Sequence, residues 1–389
     1  MSSPARYHVE ELLTNKNSTQ QSSPISSLHD DLLLSCFARI SRLHYPALSL
    51  VSKSFRSLLF FPELYETRSL LGRAESCLYV CLNLSPDPTP SWFTLCQKPN
   101  GTKDKNSSGN ILVPIPVPKS PQAHCKGVVA VGSSIYVIGG PFHDPPSSDV
   151  WVLDCHCHVW CKAPSMLVDR AYPAANVVDG KIYVAGGCKD FNSSNYMEVF
   201  DPQTQSWDFV VCTVAKKCAP SVFNSAVIEG NFLLFTFTNE CLAYTPKEDR
   251  WEVIEMLANL DSGWLWALWH SNCMIGTIHY CCRYLAGLKW YDSKRQSWMD
   301  LKGLKGLPEF DHHDCVKLAD YGGKLAVLWT KFSRSRGHKE KTTGWCAVIS
   351  LERRNGDEDE EIWGTVEWID PVLTLHNSYR FECALAATV

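Results

Sequence analysis

What this chain has little of narrows its class before any motif is read. No stretch of its 389 residues approaches the roughly 18 consecutive apolar residues that a membrane-spanning helix needs. There is no excess of positive charge: 37 Lys and Arg against 41 Asp and Glu leave a formal net charge of -4, without the basic field that holds nucleic acid. Met1 to Ser23 is rich in Ser, Gln and Asn and has no apolar run, so it reads as a disordered leader and not as a secretory signal. Cysteine is plentiful, at 18, but the paired Cys-x-x-Cys knuckles of structural zinc sites are missing. The expectation is an intracellular chain, cytoplasmic or nuclear, with neither membrane nor nucleic acid as partner and with buried, reduced thiols in place of disulfides.

Hydrophobic residues make up 45% and aromatic residues 11%, ample for a large core, and their arrangement repeats. Ile135-Tyr136-Val137-Ile138-Gly139-Gly140 returns as Ile182-Tyr183-Val184-Ala185-Gly186-Gly187, and Asp154 with Trp160 returns at the same offset as Asp201 with Trp207. A period of about 50 residues marks an array of one supersecondary unit. An apolar strand ending in Gly-Gly, then a Tyr/Val-rich strand and a Trp strand, resembles the kelch unit, each copy one four-stranded blade of a β-propeller. The step from Asp154 to Trp160 recurs from Thr245 to Trp251 and from Asp292 to Trp298, so weaker copies follow the first two. A fifth runs from Tyr321 to Trp329, Trp345 to Leu351 and Ile362-Trp363, with the acidic insertion Glu352 to Glu361 expected as a solvated loop.

The ring can also close. Tyr379 to Val389 resembles an inner strand, and its outer strands are supplied by Cys77 to Leu82 and Trp92 to Leu95. Pairing the two ends makes a split sixth blade and removes exposed sheet edges. Lys98 to Gln122 reads as a loop. The predicted fold is mainly β, a propeller of about six blades at 77–389 with repeats near 124–163, 171–211, 220–253, 264–300 and 313–370.

Ahead of the propeller the composition turns helical. Ser26-Ser27 followed by Asp30-Asp31 and then Leu32-Leu33-Leu34 is how a helix start is written. Cys36, Phe37 and Ile40 continue it, and Pro46 opens a second segment from Ala47 to Leu59 that Pro62 ends. Leu28, Asp31, Leu32, Leu33, Phe37, Pro46, Leu48, Leu50-Val51, Lys53, Phe55 and Leu58 resemble the F-box, the module that docks the Skp-type adaptor of cullin-based ubiquitin ligases. His29 stands where that family usually has Pro, and Cys36 where it has a larger aliphatic. The predicted module is 24–65, after a leader at 1–23 and before a connection at 66–76. The resemblance implies that those residues bind the adaptor, and through it a cullin scaffold.

In a propeller the loops from second to third strand and from blade to blade share one face, and the long loops of this chain fall there. They suit recognition of a protein target, still unidentified, with Arg170, Phe191, Trp264, Tyr280, Arg283, Arg334 and Arg336 as candidate anchors; Trp264 fits core filling equally well. The cluster Cys155-His156-Cys157-His158 has metal-ligand side chains but reads as a turn between strands, as His312-His313-Asp314-Cys315 reads as a loop. No constellation of acid, base and nucleophile is evident, so neither catalysis, metal nor cofactor is expected. An F-box followed by kelch repeats resembles the large plant family of ubiquitin-ligase substrate receptors. A kelch scaffold unconnected to ubiquitin is the alternative, and a propeller enzyme a more remote one.

Overall fold

The computed structural model describes residues 28–84, 89–98, 108–115, 120–122, 125–140, 145–189, 192–214, 222–236, 241–254, 272–310, 314–333, 341–355, 360–376 and 378–389. Helix α1 (Asp30–Phe37) carries Asp30 and Asp31 in its first turn, where carboxylates favour the helix dipole. Its N-cap is His29, whose side chain makes no capping bond; the expected Ser cap lies outside the described residues. The segment after Pro46 is two helices and not one: α2 (Tyr45–Ser49) and α3 (Lys53–Leu58). The break follows from Ser52, which is fully extended and accepts a hydrogen bond from the Phe55 amide at 3.0 Å, capping a new helix. Pro62 does end this segment, but it also occupies the first turn of α4 (Pro62–Leu70). The helical module therefore continues past the boundary expected at residue 65, and the connection shrinks to the few residues before strand β1.

All 24 described strands fall into six antiparallel sheets of four. Blade 1 is β4 (Val128–Val131), β5 (Ser134–Ile138), β6 (Val150–Asp154) and β7 (Val159–Ala163). Blade 2 is β8 (Ala174–Val178), β9 (Lys181–Ala185), β10 (Met197–Asp201) and β11 (Ser206–Val210); blade 3 is β12 (Val222–Ile228), β13 (Asn231–Thr236), β14 (Cys241–Thr245) and β15 (Arg250–Ile254). Blade 4 is β16 (Asn272–Ile275), β17 (Ile278–Arg283), β18 (Gly287–Asp292) and β19 (Ser297–Asp300). Blade 5 is β20 (Lys317–Tyr321), β21 (Lys324–Ser333), β22 (Lys341–Asn355) and β23 (Glu360–Leu375).

The closing blade joins β24 (Tyr379–Thr388) to β1 (Ser76–Leu84), β2 (Ser91–Gln97) and β3 (Asn110–Pro114). The split closure is as the sequence suggested, with one strand more: Asn110–Pro114, expected as loop, pairs with β2 from Gln97↔Asn110 to Phe93↔Pro114. The acidic insertion is likewise only partly loop. Glu352 to Asn355 pairs with Glu360 to Trp363, so both strands run past the sheet as a long hairpin.

The repeat signature has a mechanical basis. Asp154, Asp201 and Asp292 end the third strand of their blades and accept backbone amides two residues on, at 2.7 Å from His156, 2.8 Å from Gln203 and 3.0 Å from Lys294. Four residues beyond each third-strand end the chain turns left-handed, at His158, Gln205, Asp249 and Gln296, and the Trp then pairs back on the third strand. Trp207 and Trp251 donate their indole N–H groups at 2.9 Å to Pro164 and Val211, each just past the outer strand of the preceding blade. The Gly-Gly pair is a close approach. Gly139, Gly186 and Gly187 have positive φ, and a Cβ on Gly187 would lie 2.3 Å from the Ala171 carbonyl oxygen.

Candidate functional site

The helical module presents and buries different halves of its signature. Leu28, Leu32, Leu50 and Val51 are 41, 56, 72 and 64% exposed, and Asp31 and Lys53 beside them are also exposed. Leu50 and Val51 point outward because the α2–α3 break gives them no helical neighbour to pack on. Leu33, Phe37, Phe55 and Leu58, expected as adaptor contacts, are instead buried, with Phe37 edge-on to Phe55 at 4.8 Å. They are the core of the module. Pro46 and Leu48 are partly buried.

That core does not stop at the module. Leu33, Phe37, Phe55, Leu64 and Tyr65 form one continuous apolar cluster with Tyr79 and Trp92 of the closing blade and Ile135, Leu153 and Cys155 of blade 1. The seat is the β6–β7 turn, the Cys155 to His158 stretch. Tyr65 stacks on His156 at 4.1 Å and donates its hydroxyl to the His156 carbonyl at 3.1 Å. Arg42 Nη1 and the Tyr79 hydroxyl both donate to the Cys155 carbonyl, at 2.9 and 3.1 Å. The Tyr79 hydroxyl also meets His158 Nε2 at 3.1 Å. Burial holds the His158 imidazole down at about 4 and pushes the Tyr65 phenol up to about 12, so both are neutral near neutral pH. Among the described residues no group of three or more His, Cys, Asp or Glu is arranged to hold a metal ion.

Arg68 of α4 completes the attachment. It is fully enclosed and donates to the carbonyls of Ala38, Ile40 and Arg73 and to Glu75 at 2.8 Å. Glu75 also accepts from the Ser41 hydroxyl and the Arg42 amide, while its backbone exchanges two 2.8 Å hydrogen bonds with Val389 at the other chain end. Neither Arg42, Arg68 nor Glu75 carries a local sequence signal; an isolated charge in a polar stretch reads as surface.

Because the module sits on the turn from third to fourth strand, it occupies the face opposite the long loops. On that opposite face the sequence candidates fare differently. Arg170 is no anchor: it is 0% exposed, paired at 2.8 Å with an equally enclosed Glu198, and it donates to the carbonyls of Gly186, Asn195 and Tyr196. Tyr280 is also buried, in the core between blades 4 and 5. Arg283 is partly buried at the end of β17. Phe191, Trp264, Arg334 and Arg336 lie outside the described residues. Among the described residues, sequence reasoning missed four exposed apolar side chains of this face, Leu167, Val211, Leu285 and Phe332, at 50, 58, 82 and 51% exposure; isolated apolar residues beside turns carried no periodic signal. The propeller axis holds a polar cavity of about 160 Å³ lined by Lys126, Asn176, Asn224, Asn272, Lys317 and Cys383, one from each blade.

Comparison with known proteins agrees with this anatomy. Residues 25–67 match the F-box domain and residues 92–373 the "FKB95, Kelch-repeats domain". The Arabidopsis thaliana F-box/kelch-repeat protein At4g39550 is 52% identical over 387 residues, covering 95% of each chain. A second from the same plant, At5g49000, is 50% identical over 392 residues, covering all of both. An F-box implies binding to a Skp-type adaptor, and with kelch repeats it makes an SCF substrate-adaptor type, typically a non-catalytic receptor. On its helical module, its six blades and its full-length likeness to these relatives, the chain belongs to the plant F-box/kelch-repeat family.

Proposed function

We propose that this chain is the substrate receptor of an SCF-type ubiquitin ligase, in the cytoplasm or nucleus. Its helices dock the adaptor and through it a cullin, and the loop face of its propeller holds a protein target for ubiquitination. One observation carries the proposal: exposed Leu32, Leu50 and Val51 belong to a module whose core is continuous with the propeller, on the face opposite the loops. A rigid attachment of this kind fixes the distance and direction from target to adaptor. The chemistry asked of the chain is then proximity, which raises effective concentration with no reactive residue of its own.

Co-purification of the full chain with a Skp-type adaptor tests it. The Leu50→Asp/Val51→Asp variant is the right control, because removing the module would strip the cover from Tyr79, Trp92 and Leu153. Capture by the native chain and a loss of at least tenfold in the variant are expected. Capture by neither would favour a propeller scaffold independent of ubiquitin, and equal capture by both would move the adaptor contact away from Leu50 and Val51.

A further inference from the structure

The joint between helical module and propeller is not completely filled. A cavity of about 300 Å³ lies there, with Arg42, Tyr45 and Phe60 on the module side and Cys96, Val113 and Tyr321 on the propeller side. Apolar cavities of this size, between domains and with few polar groups, are the usual form of a small-molecule site. The polar groups here are unevenly matched. Glu75, the one carboxylate in the wall among the described residues, has both oxygens taken, by Arg68 and by Ser41 with the Arg42 amide. Its histidines, His156 and His158, are held neutral by burial.

Arg42 is the one cation of the wall among the described residues. Its guanidinium lies over the rings of Tyr65 and Tyr45, at 5.2 and 5.8 Å, and its Nη1 reaches the Cys155 carbonyl. Among the described residues it makes no ion pair. A guanidinium has five N–H donors in a planar fork shaped for a carboxylate, and leaving such a charge in an apolar wall without a counter-charge is unfavourable. We propose that this cavity binds a small organic acid with an aromatic or aliphatic body. Its carboxylate sits on the free edge of Arg42, and its hydrocarbon lies between the module's Tyr45 and Phe60 and the propeller's Val113 and Tyr321. Such a ligand touches both parts of the chain and fastens the adaptor-binding helices to the target-binding propeller. The site does not depend on the ubiquitin-ligase proposal.

The test is thermal unfolding of the full chain with benzoate, 2-naphthoate and octanoate, each beside its neutral amide. A saturable rise in Tm is expected with at least one carboxylate, with at least tenfold weaker binding of the matching amide. Arg42→Met should erase the preference for acid over amide. Because that variant also loses the Cys155 contact, Val113→Trp is needed as well: it fills the cavity from β3, leaves Arg42 in place and should abolish the shift from acid and amide alike. No saturable shift with any of the three acids, equal affinity for acid and amide, or a preference that survives Arg42→Met would each overturn the proposal.

Discussion

Two fully enclosed arginines sit on opposite faces of the propeller, and they are neutralised differently. Arg68 ties helix α4 to the module and the connector, and its carboxylate partner Glu75 is 32% exposed. Arg170 ties the loop between blades 1 and 2 to the loop inside blade 2, and its partner Glu198 is fully enclosed. Water can reach one pair and not the other. The module side therefore rests on many shared contacts in a common core, while the loop side at this point centres on a desolvated pair whose arginine also holds the carbonyls of Gly186, Asn195 and Tyr196.

That contrast sets the order of expected effects. Glu198→Ala strands the Arg170 charge and should cost about 3–5 kcal/mol, read as a lower urea midpoint; a loss below about 1 kcal/mol would break the comparison. Arg68→Met should cost less, about 2–3 kcal/mol, because several carbonyls lose a donor but Glu75 keeps access to water. The same variant should become cleavable by limited proteolysis between module and propeller before the blades open.

Acid should act on the buried histidines next. His158 under the module and His279 in blade 4 are both held near 4 by burial, below the unfolded value of about 6.5. Below that value the unfolded chain takes up protons that the folded chain refuses. Stability is thus full above pH 6.5 and falls as pH drops toward 4, by on the order of 2–3 kcal/mol for His279 and less for the partly exposed His158. His279→Phe should flatten the urea midpoint measured between pH 7 and 4.5; an unchanged slope would mean another group is responsible. The smallest effect should be that of Leu50→Asp/Val51→Asp, within about 0.5 kcal/mol of native stability, although adaptor capture is lost. Phe55→Ala, in the first turn of the helix that follows, should cost about 3 kcal/mol by opening a core cavity. Similar losses from both would mean that exposed and buried halves of the module are not distinct.

The repeat was legible because its residues do local work. A turn-capping residue, Asp in three blades and replaced by Thr245 in blade 3, and a Trp that crosses back to the third strand keep their spacing in blades 1 to 4, so even the weak copies at Trp251 and Trp298 could be found. The strand Asn110–Pro114 escaped because it is short, borders a Ser/Gly-rich stretch and has a neighbour on one side only. The ends of β22 and β23 escaped because their charged residues are stabilised by cross-strand pairs, such as Arg353 with Glu360 at 3.3 Å, and not by burial. The docking residues named for the module mix exposed Leu32, Leu50 and Val51 with buried Leu33, Phe37, Phe55 and Leu58: the apolar pattern marks them as one set, while only packing decides which face water.

The sequence by itself determined the blade unit, the closure of the ring by its two ends and the presence of an F-box, since strand alternation, turn chemistry and helix starts are set by neighbours along the chain. Only the tertiary structure decided that Cys155 to His158 is the seat of the helical module, that Arg170 is a buried tie and not an anchor, and that Arg42 faces a cavity. Each of those outcomes depends on groups far apart in sequence meeting where water is excluded. There the worth of a charge or a ring is set by its partners, and no local pattern records them.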